Sequence, residues 1–400
     1  MKRLLGTIWG GWILGSLVFG AAISCEAESR RLPSLAEVHR LFRNPPRDYS
    51  TGPLWVWNDW MTEAQVRQTL RDLASQQVRQ AFVHPRPGLM TPYLESEWFR
   101  LWQVALEEAE RLDMNLWIYD ENSYPSGFAG GWVPEQMPEA RGLGLVFRER
   151  SDPPVPAEEI VAVFVRSPRG YEEVTDQIRR GARPEGQRFL VAQVERAGVS
   201  PWYGGRSYVN LLTPGVTEKF LELTLRGYDR AVGHEYGRRV PGVFTDEPHV
   251  RPAGGWPWAP DLPEVFAQRR GYELRPHLIS LHLPEGDWRR VRHDYLRTVH
   301  ELFVERWARP YFEACQQRGL ELTGHYWEHE WPQALLTPDN MAMAAWQQRP
   351  GIDILMNQYA EHTHAQFGNV RSVREVVSVA RQMGHPRTLV ELYGASGWDL

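Results

Sequence analysis

Seven times along the chain a short apolar run stops abruptly at polar or aromatic residues, and after most of these stops a helical pattern begins. Leu54–Trp57 stops at Asn58-Asp59, and Glu63–Gln76 follows with apolar residues at helical spacing (Val66, Leu70, Leu73). Gln80–Val83 stops at His84-Pro85-Arg86-Pro87, with a helix expected over Trp98–Leu112. Leu116–Tyr119, Val240–Phe244, Leu320–Thr323, Ile352–Leu355 and Thr388–Val390 repeat the stop, and Thr217–Gly237, Trp288–Arg318 and Val370–Met383 read as helices between them. Strands alternating with helices imply a parallel sheet. Polar residues gather where strands end, which is the arrangement of the active face of a (β/α)8 barrel. A doubly wound open sheet would want a Gly-rich phosphate loop after its first strand, and none is present. The expectation is an α/β chain with a TIM-type barrel, of which seven strands are visible and the eighth is missing after Leu400.

Between Glu139 and Arg206 the rhythm changes to Pro-punctuated alternating runs, Leu143–Phe147, Ile160–Val165 and Phe189–Val194. Period-two alternation of this kind marks half-buried antiparallel strands. The chain is therefore divided into a leader over 1–24, a lead-in over 25–50, a first barrel segment over 51–139, a small antiparallel β insertion over 140–205 after the third strand, and the remaining barrel over 206–400.

The leader begins Met1-Lys2-Arg3, continues uncharged and largely apolar to Ile23, and closes on small residues, the pattern of a secretory signal peptide. Export to the periplasm, cell surface or medium is expected, without a transmembrane domain after cleavage. Ala22-Ile23-Ser24-Cys25 also approaches a lipoprotein box, which would make Cys25 a lipid anchor. Only Cys315 then remains, so neither a disulfide framework nor a thiolate zinc site is expected. A formal net charge of −5 gives no basic excess for phosphate neutralisation, which argues against nucleic acid as partner. The 18 Trp residues supply flat apolar faces with one N–H each, suited to protein cores and to sugar rings alike.

Carboxylates at strand ends are the first candidates for chemistry. Glu247 ends the fourth strand and Glu391 the seventh, on opposite sides of a barrel mouth. Glycosidic cleavage needs such a pair, one carboxyl to protonate the leaving oxygen and the other to attack or to activate water. Asp120-Glu121 and Glu328 end the third and fifth strands and are read as sugar-binding or substitute acids; on an extended chain only one of two adjacent acids faces the centre. Trp57, Asn58, His84, Arg86, Asp246, His325, Trp327, Asn357 and Trp398 complete the candidate substrate-binding set, with Trp55, Trp60 and Trp132 as further aromatics near strand ends. His325-Tyr326-Trp327-Glu328-His329 matches the H-x-x-E-H pattern of zinc peptidases, but that motif works on a helix, where both His share a face. Here it follows a strand end, so no metal ligand is assigned, and a metallohydrolase barrel stays as a second enzyme class. No Ser nucleophile elbow is present, and Cys315 reads as a core thiol.

These stretches also resemble a known family. Trp57-Asn58-Asp59, Phe82 through His84-Pro85-Arg86-Pro87-Gly88-Leu89 to Thr91-Pro92-Tyr93-Leu94, Tyr119-Asp120-Glu121-Asn122-Ser123-Tyr124-Pro125-Ser126-Gly127, Asn210–Pro214, Phe244–Pro248 and Glu391–Asp399 are similar in kind and order to bacterial α-L-rhamnosidase-like glycoside hydrolases, akin to glycoside hydrolase family 106. The resemblance spans roughly residues 50 to 400 apart from the insertion. It implies an exported barrel enzyme acting on oligo- or polysaccharide of plants or microbes, with Glu247 as proton donor, Glu391 as partner carboxylate and Ca2+ as a possible cofactor. Asp246-Glu247 stands where many such barrels have Asn-Glu, leaving the acid open between neighbours, and the family's chains are usually longer, with β-domains after the barrel. A non-catalytic carbohydrate-binding protein of the same fold is the alternative from another class.

Overall fold

The computed structural model describes residues 33–185, 188–330, 333–355, 364–392 and 394. It divides into a unit ending at Pro45 and a unit from Pro46 onward. In the first, helix α1 (Leu35–Arg43) starts at Ser34, whose hydroxyl accepts the Glu37 N–H at 3.2 Å.

The second unit holds strand β1 (Leu54–Trp57), helix α2 (Glu63–Ser75), β2 (Gln80–Pro85), α3 (Ser96–Arg111) and β3 (Asn115–Tyr119). Then come β4 (Leu143–Arg150), β5 (Ile160–Ser167), β6 (Gly170–Glu173), β7 (Phe189–Arg196) and α4 (Val216–Val232). The chain continues through β8 (Gly242–Asp246), β9 (Trp256–Pro257), α5 (Trp288–Phe303), α6 (Arg309–Arg318) and β10 (Glu321–His325). Among the described residues it closes with β11 (Gly351–Ile354), α7 (His364–Met383) and β12 (Leu389–Leu392). A π turn over Val304–Ala308 joins α5 to α6, so the single helix expected over 288–318 is interrupted.

The central sheet is parallel and runs β1-β2-β3-β8-β10, with β11 and β12 forming a further parallel pair. Leu54 of β1 and Leu389 of β12 pack on one aromatic cluster, Phe82, Trp117, Tyr119 and Phe244, so the parallel strands curl about that cluster. Every expected strand is present, with ends moved by a few residues. The largest consequence is at β2 and β8, which run on to Pro85 and Asp246 and so place His84 and Asp246 inside strands rather than in turns.

Side chains alternate across a strand, and the register fixes which share a face. Phe82 pairs with Trp117, Tyr119 with Phe244, Asp246 with His325, and Asp353 with Glu391. One face therefore carries the aromatic cluster low in the sheet and, toward the C-terminal ends, His84, Tyr119, Asp246, His325, Asp353 and Glu391. That inward row of polar residues creates the site. Gly324, between Thr323 and His325, has φ +108°, and a Cβ there would lie 1.8 Å from the Thr245 carbonyl oxygen, so only glycine lets β10 close on β8 at this level.

The insertion is an antiparallel sheet of order β6-β5-β7-β4-β9. Its own apolar cluster includes Ile160, Val163, Val165, Ile178, Phe189 and Val191. The edge strand β9 comes from the loop after β8, a contribution that the 140–205 boundary did not anticipate.

Among the described residues no helix is long and apolar enough to cross a membrane. Leader positions 1–24, the Cys25 anchor, Asn357 and Trp398 lie outside the described residues.

Candidate active site

His325 is the hub of the polar row. Its Nε2 lies 3.1 Å from Glu391 Oε2 and 3.5 Å from Asp246 Oδ1, while Nδ1 lies 3.9 Å from Glu328 Oε1. Burial alone would lower its pKa, but the Glu391 hydrogen bond and the charges of Asp246 and Glu328 outweigh that and hold it well above the usual histidine range. His325 is thus an imidazolium among carboxylates. Tyr119 donates its hydroxyl to Asp246 Oδ2. Burial pushes Asp246 up to about 6, His325 pulls it back, and Glu391 raises it.

Glu247 follows Asp246, and strict alternation would turn it away from the site. Instead its φ of 47° puts a non-glycine residue in the left-handed region. Two bonds hold that strained peptide: the Glu247 N–H donates to the His325 carbonyl at 3.1 Å, and the Trp327 indole N–H donates to the Glu247 carbonyl at 3.0 Å. The kink lets both adjacent acids address one cluster. Glu247 Oε1 then lies 3.3 Å from His329 Nε2. Burial, reinforced by the Asp246 charge, pushes Glu247 up to about 9, whereas burial and the His325 charge push His329 down to about 3. At neutral pH the pair is a carboxylic acid against a neutral imidazole. Asp353, beside His329 at 3.9 Å, is raised to about 7, first by its burial.

Several expected binding residues are employed elsewhere. Trp57 is fully buried, edge-on to Trp55 and Trp98, so it belongs to the core and offers no face to a sugar; Trp55 is buried as well. Asp120 accepts from the Ser126 hydroxyl at 2.5 Å and from the Tyr311 hydroxyl at 2.8 Å, bracing β3 against α6. Glu121 points into its own loop, where five backbone N–H groups, of Asn122, Gly127, Phe128, Ala129 and Gly130, donate to it at 2.5–3.1 Å. These carboxylates are saturated by protein donors and leave nothing for a substrate. Replacing Glu121 by Gln sets amide hydrogens against N–H donors, and we expect a loss of about 2 kcal/mol or more of stability, measured by urea unfolding. Glu328 is likewise committed, accepting the Tyr326 N–H at 3.0 Å and the Asp353 N–H at 2.6 Å.

Asn58 is exposed at the end of β1, and Arg86 is half-buried after β2. His84 is buried, stacked on Tyr119 at 3.7 Å between centroids. Trp327 is half-buried and serves the Glu247 carbonyl. Trp60 and Trp132 are exposed. Of the expected set, Glu247, Glu391, Asp246, His325 and Glu328 converge.

Sequence reasoning missed Tyr119, His329 and Asp353. Asp353 carried a signal, a lone acid at the alternating position of Ile352-Asp353-Ile354. His329 stood in the H-x-x-E-H stretch, whose two His converge here from a strand end and a loop rather than from a helix, with ring centroids 6.1 Å apart.

Glu247, His325, His329 and Asp353 offer ligand atoms within 4.8 Å of one another, as do Asp246, His325 and Glu391. Ca2+ takes six to eight oxygen ligands, whereas these sets mix carboxylate with imidazole, which suits borderline transition cations. The calcium expectation therefore does not fit this donor set.

No protein-family model matches the chain, and no curated protein is similar to it in sequence. Among solved structures it is similar to the rhamnosidase from Novosphingobium sp. PP1Y, with a TM-score of 0.60 and 15% identity, over 90% of this chain. The chain spans 53% of that structure's length. At this identity the likeness is one of fold: a mixed α/β rhamnosidase-like glycoside hydrolase fold.

Proposed function

We propose that the chain is an exported glycoside hydrolase built on a TIM-type (β/α) barrel, acting on α-L-rhamnoside-like linkages of plant or microbial saccharides. The observation that carries the reading is the division of labour in the polar row. Glu247 keeps its proton at neutral pH, and Glu391 is paired to the His325 imidazolium. A buried carboxyl that holds its proton, set beside a carboxylate held by a cation, is the arrangement of an acid and its partner. Glu247 would deliver its proton to the glycosidic oxygen as the bond breaks. Glu391, oriented by His325, would attack the anomeric carbon or draw a proton from the attacking water. His329, neutral beside Glu247, would donate its Nε2–H to one carboxyl oxygen and leave the proton on the other oxygen for the substrate. The likeness of fold to a rhamnosidase agrees with this reading, and the leader agrees with export.

The test is to incubate the protein with aryl α-L-rhamnosides and a panel of plant oligosaccharides and to follow released sugar by proton NMR. Release of a single first-formed anomer by the wild type, and none by Glu391→Gln, is expected. Saccharide binding without release from any substrate would favour the carbohydrate-binding alternative.

The clustered ligand atoms favour a second reading, a metal-dependent hydrolase. In that case Glu247 would be a ligand and not an acid. Loss of activity in EDTA restored by zinc would select it, and activity indifferent to EDTA would remove it.

A further inference from the structure

We propose that the rim above Glu247 carries a subsite for an acidic sugar, a uronic acid residue, formed by Arg86, His84, Tyr124 and Trp202. This rests on the glycoside-hydrolase reading for what is then cleaved, but not for what is bound. Arg86 follows β2 and its backbone N–H is anchored on the Trp57 carbonyl at 3.1 Å. Its guanidinium lies over the Tyr124 ring at 5.2 Å and the Trp202 ring at 6.0 Å. Among the described residues no carboxylate lies within ion-pair distance of it. Arg306 and Arg318, also sheltered, each close on an aspartate with two contacts, at 2.6–3.0 Å to Asp261 and 2.8–2.9 Å to Asp229. A guanidinium serving only to offset the acids below would gain most by closing on one of them in the same way. Among the described residues Arg86 keeps its fork free of carboxylates.

The surroundings are built to hold a ring beside that fork. Trp202 stands on a short turn where its N–H donates to the Ser200 hydroxyl at 3.2 Å, and its indole N–H donates to the Tyr124 carbonyl at 2.5 Å. It meets Tyr124 edge-on at 5.3 Å while remaining 37% exposed, which makes it a fixed and accessible aromatic face. His84, next to Arg86 across Pro85, is 98% buried, and neither of its ring nitrogens has a partner among the described residues. A buried imidazole with both nitrogens unanswered is costly without a ligand, and two sugar hydroxyls, one accepting from the N–H nitrogen and one donating to the other, would answer it. Bidentate recognition of a planar carboxylate is what a free, stacked guanidinium offers. The carboxylates of Asp246, Glu247 and Glu391 lie below, so the acidic group of the sugar belongs at the Arg86 end.

The test is calorimetric titration of the full chain with glucuronate- and galacturonate-terminated di- to tetrasaccharides and with their methyl esters, which keep the ring and remove the charge. At least one acid should bind about tenfold tighter than its ester. Arg86→Gln should erase that preference and Arg86→Lys should keep only part of it, because a lysine has charge without the fork. Trp202→Ala should weaken acid and ester alike. If Arg86→Gln does not fold, the wild-type preference should still shrink as salt is raised. Equal binding of acid and ester, no binding of either, or a preference insensitive to Arg86 substitution and to salt overturns the proposal. An acid preference with no bond cleaved removes the glycosidase reading and leaves the subsite. Cleavage of neutral saccharides with no acid preference does the reverse.

Discussion

Replacing Glu247 by Gln leaves a folded protein that binds saccharide and barely cleaves it. Removing a general acid costs 10²–10⁴-fold in rate, so kcat on an unactivated glycoside should fall by about 10³-fold, with affinity within a few-fold of wild type. An aryl glycoside with a good leaving group needs less protonation and should lose much less, a contrast that a merely structural role would not produce. The same variant reports on stability. The folded pKa of Glu247, about 9, is raised above its ordinary 4.5, so its contribution to stability is fully present below pH 4.5 and is lost as pH rises through 9. Glutamine has no proton to lose. Thermal unfolding of Glu247→Gln should match wild type below about pH 4.5 and exceed it by a growing margin as pH rises toward 9. In the wild type, kcat/KM should decline as pH rises through about 9.

His325→Ala should be the most destabilising change in the site. It removes the imidazolium from among Asp246, Glu328 and Glu391, all poorly exposed. Leaving buried charges without their partner costs about 3–5 kcal/mol, and urea unfolding at pH 7 measures it. The loss should shrink toward pH 5. Without the cation, Asp246 and Glu328, already raised by their burial, rise further above their unfolded values, and a group so raised regains stability as pH falls. Hydrolysis should be lost with it, since Glu391 then lacks the contact that orients it. A loss below about 1 kcal/mol that is also independent of pH would mean that His325 is not the charge that holds the row together.

The strands and the polarity of their C-terminal ends were legible because period-two alternation, helical spacing and abrupt polar stops are local properties. Glu247, Glu391, Asp246 and His325 were found by position at those stops. What was illegible is what the chain does after each strand. Asp120 and Glu121 stand at a strand end as Asp246 and Glu247 do, yet the turn Asn122–Gly130 wraps its own N–H groups around Glu121. At Glu247 a left-handed residue instead swings the acid toward His329. Both outcomes depend on backbone angles that the identity of a glutamate does not announce. Trp57 illustrates the same limit. Its place at a strand end was right, but strand parity sends it outward under α3, against Trp98, while its neighbour Val56 faces the curl.

The central claim, that the site keeps Glu247 protonated in order to give that proton away, is tested most directly by infrared difference spectroscopy between wild type and Glu247→Gln across pH. A carboxylic-acid C=O band assigned to Glu247 should be present at pH 7 and disappear as pH rises through about 9. If only the carboxylate bands differ at pH 7, Glu247 is already ionised there and cannot be the acid of this site.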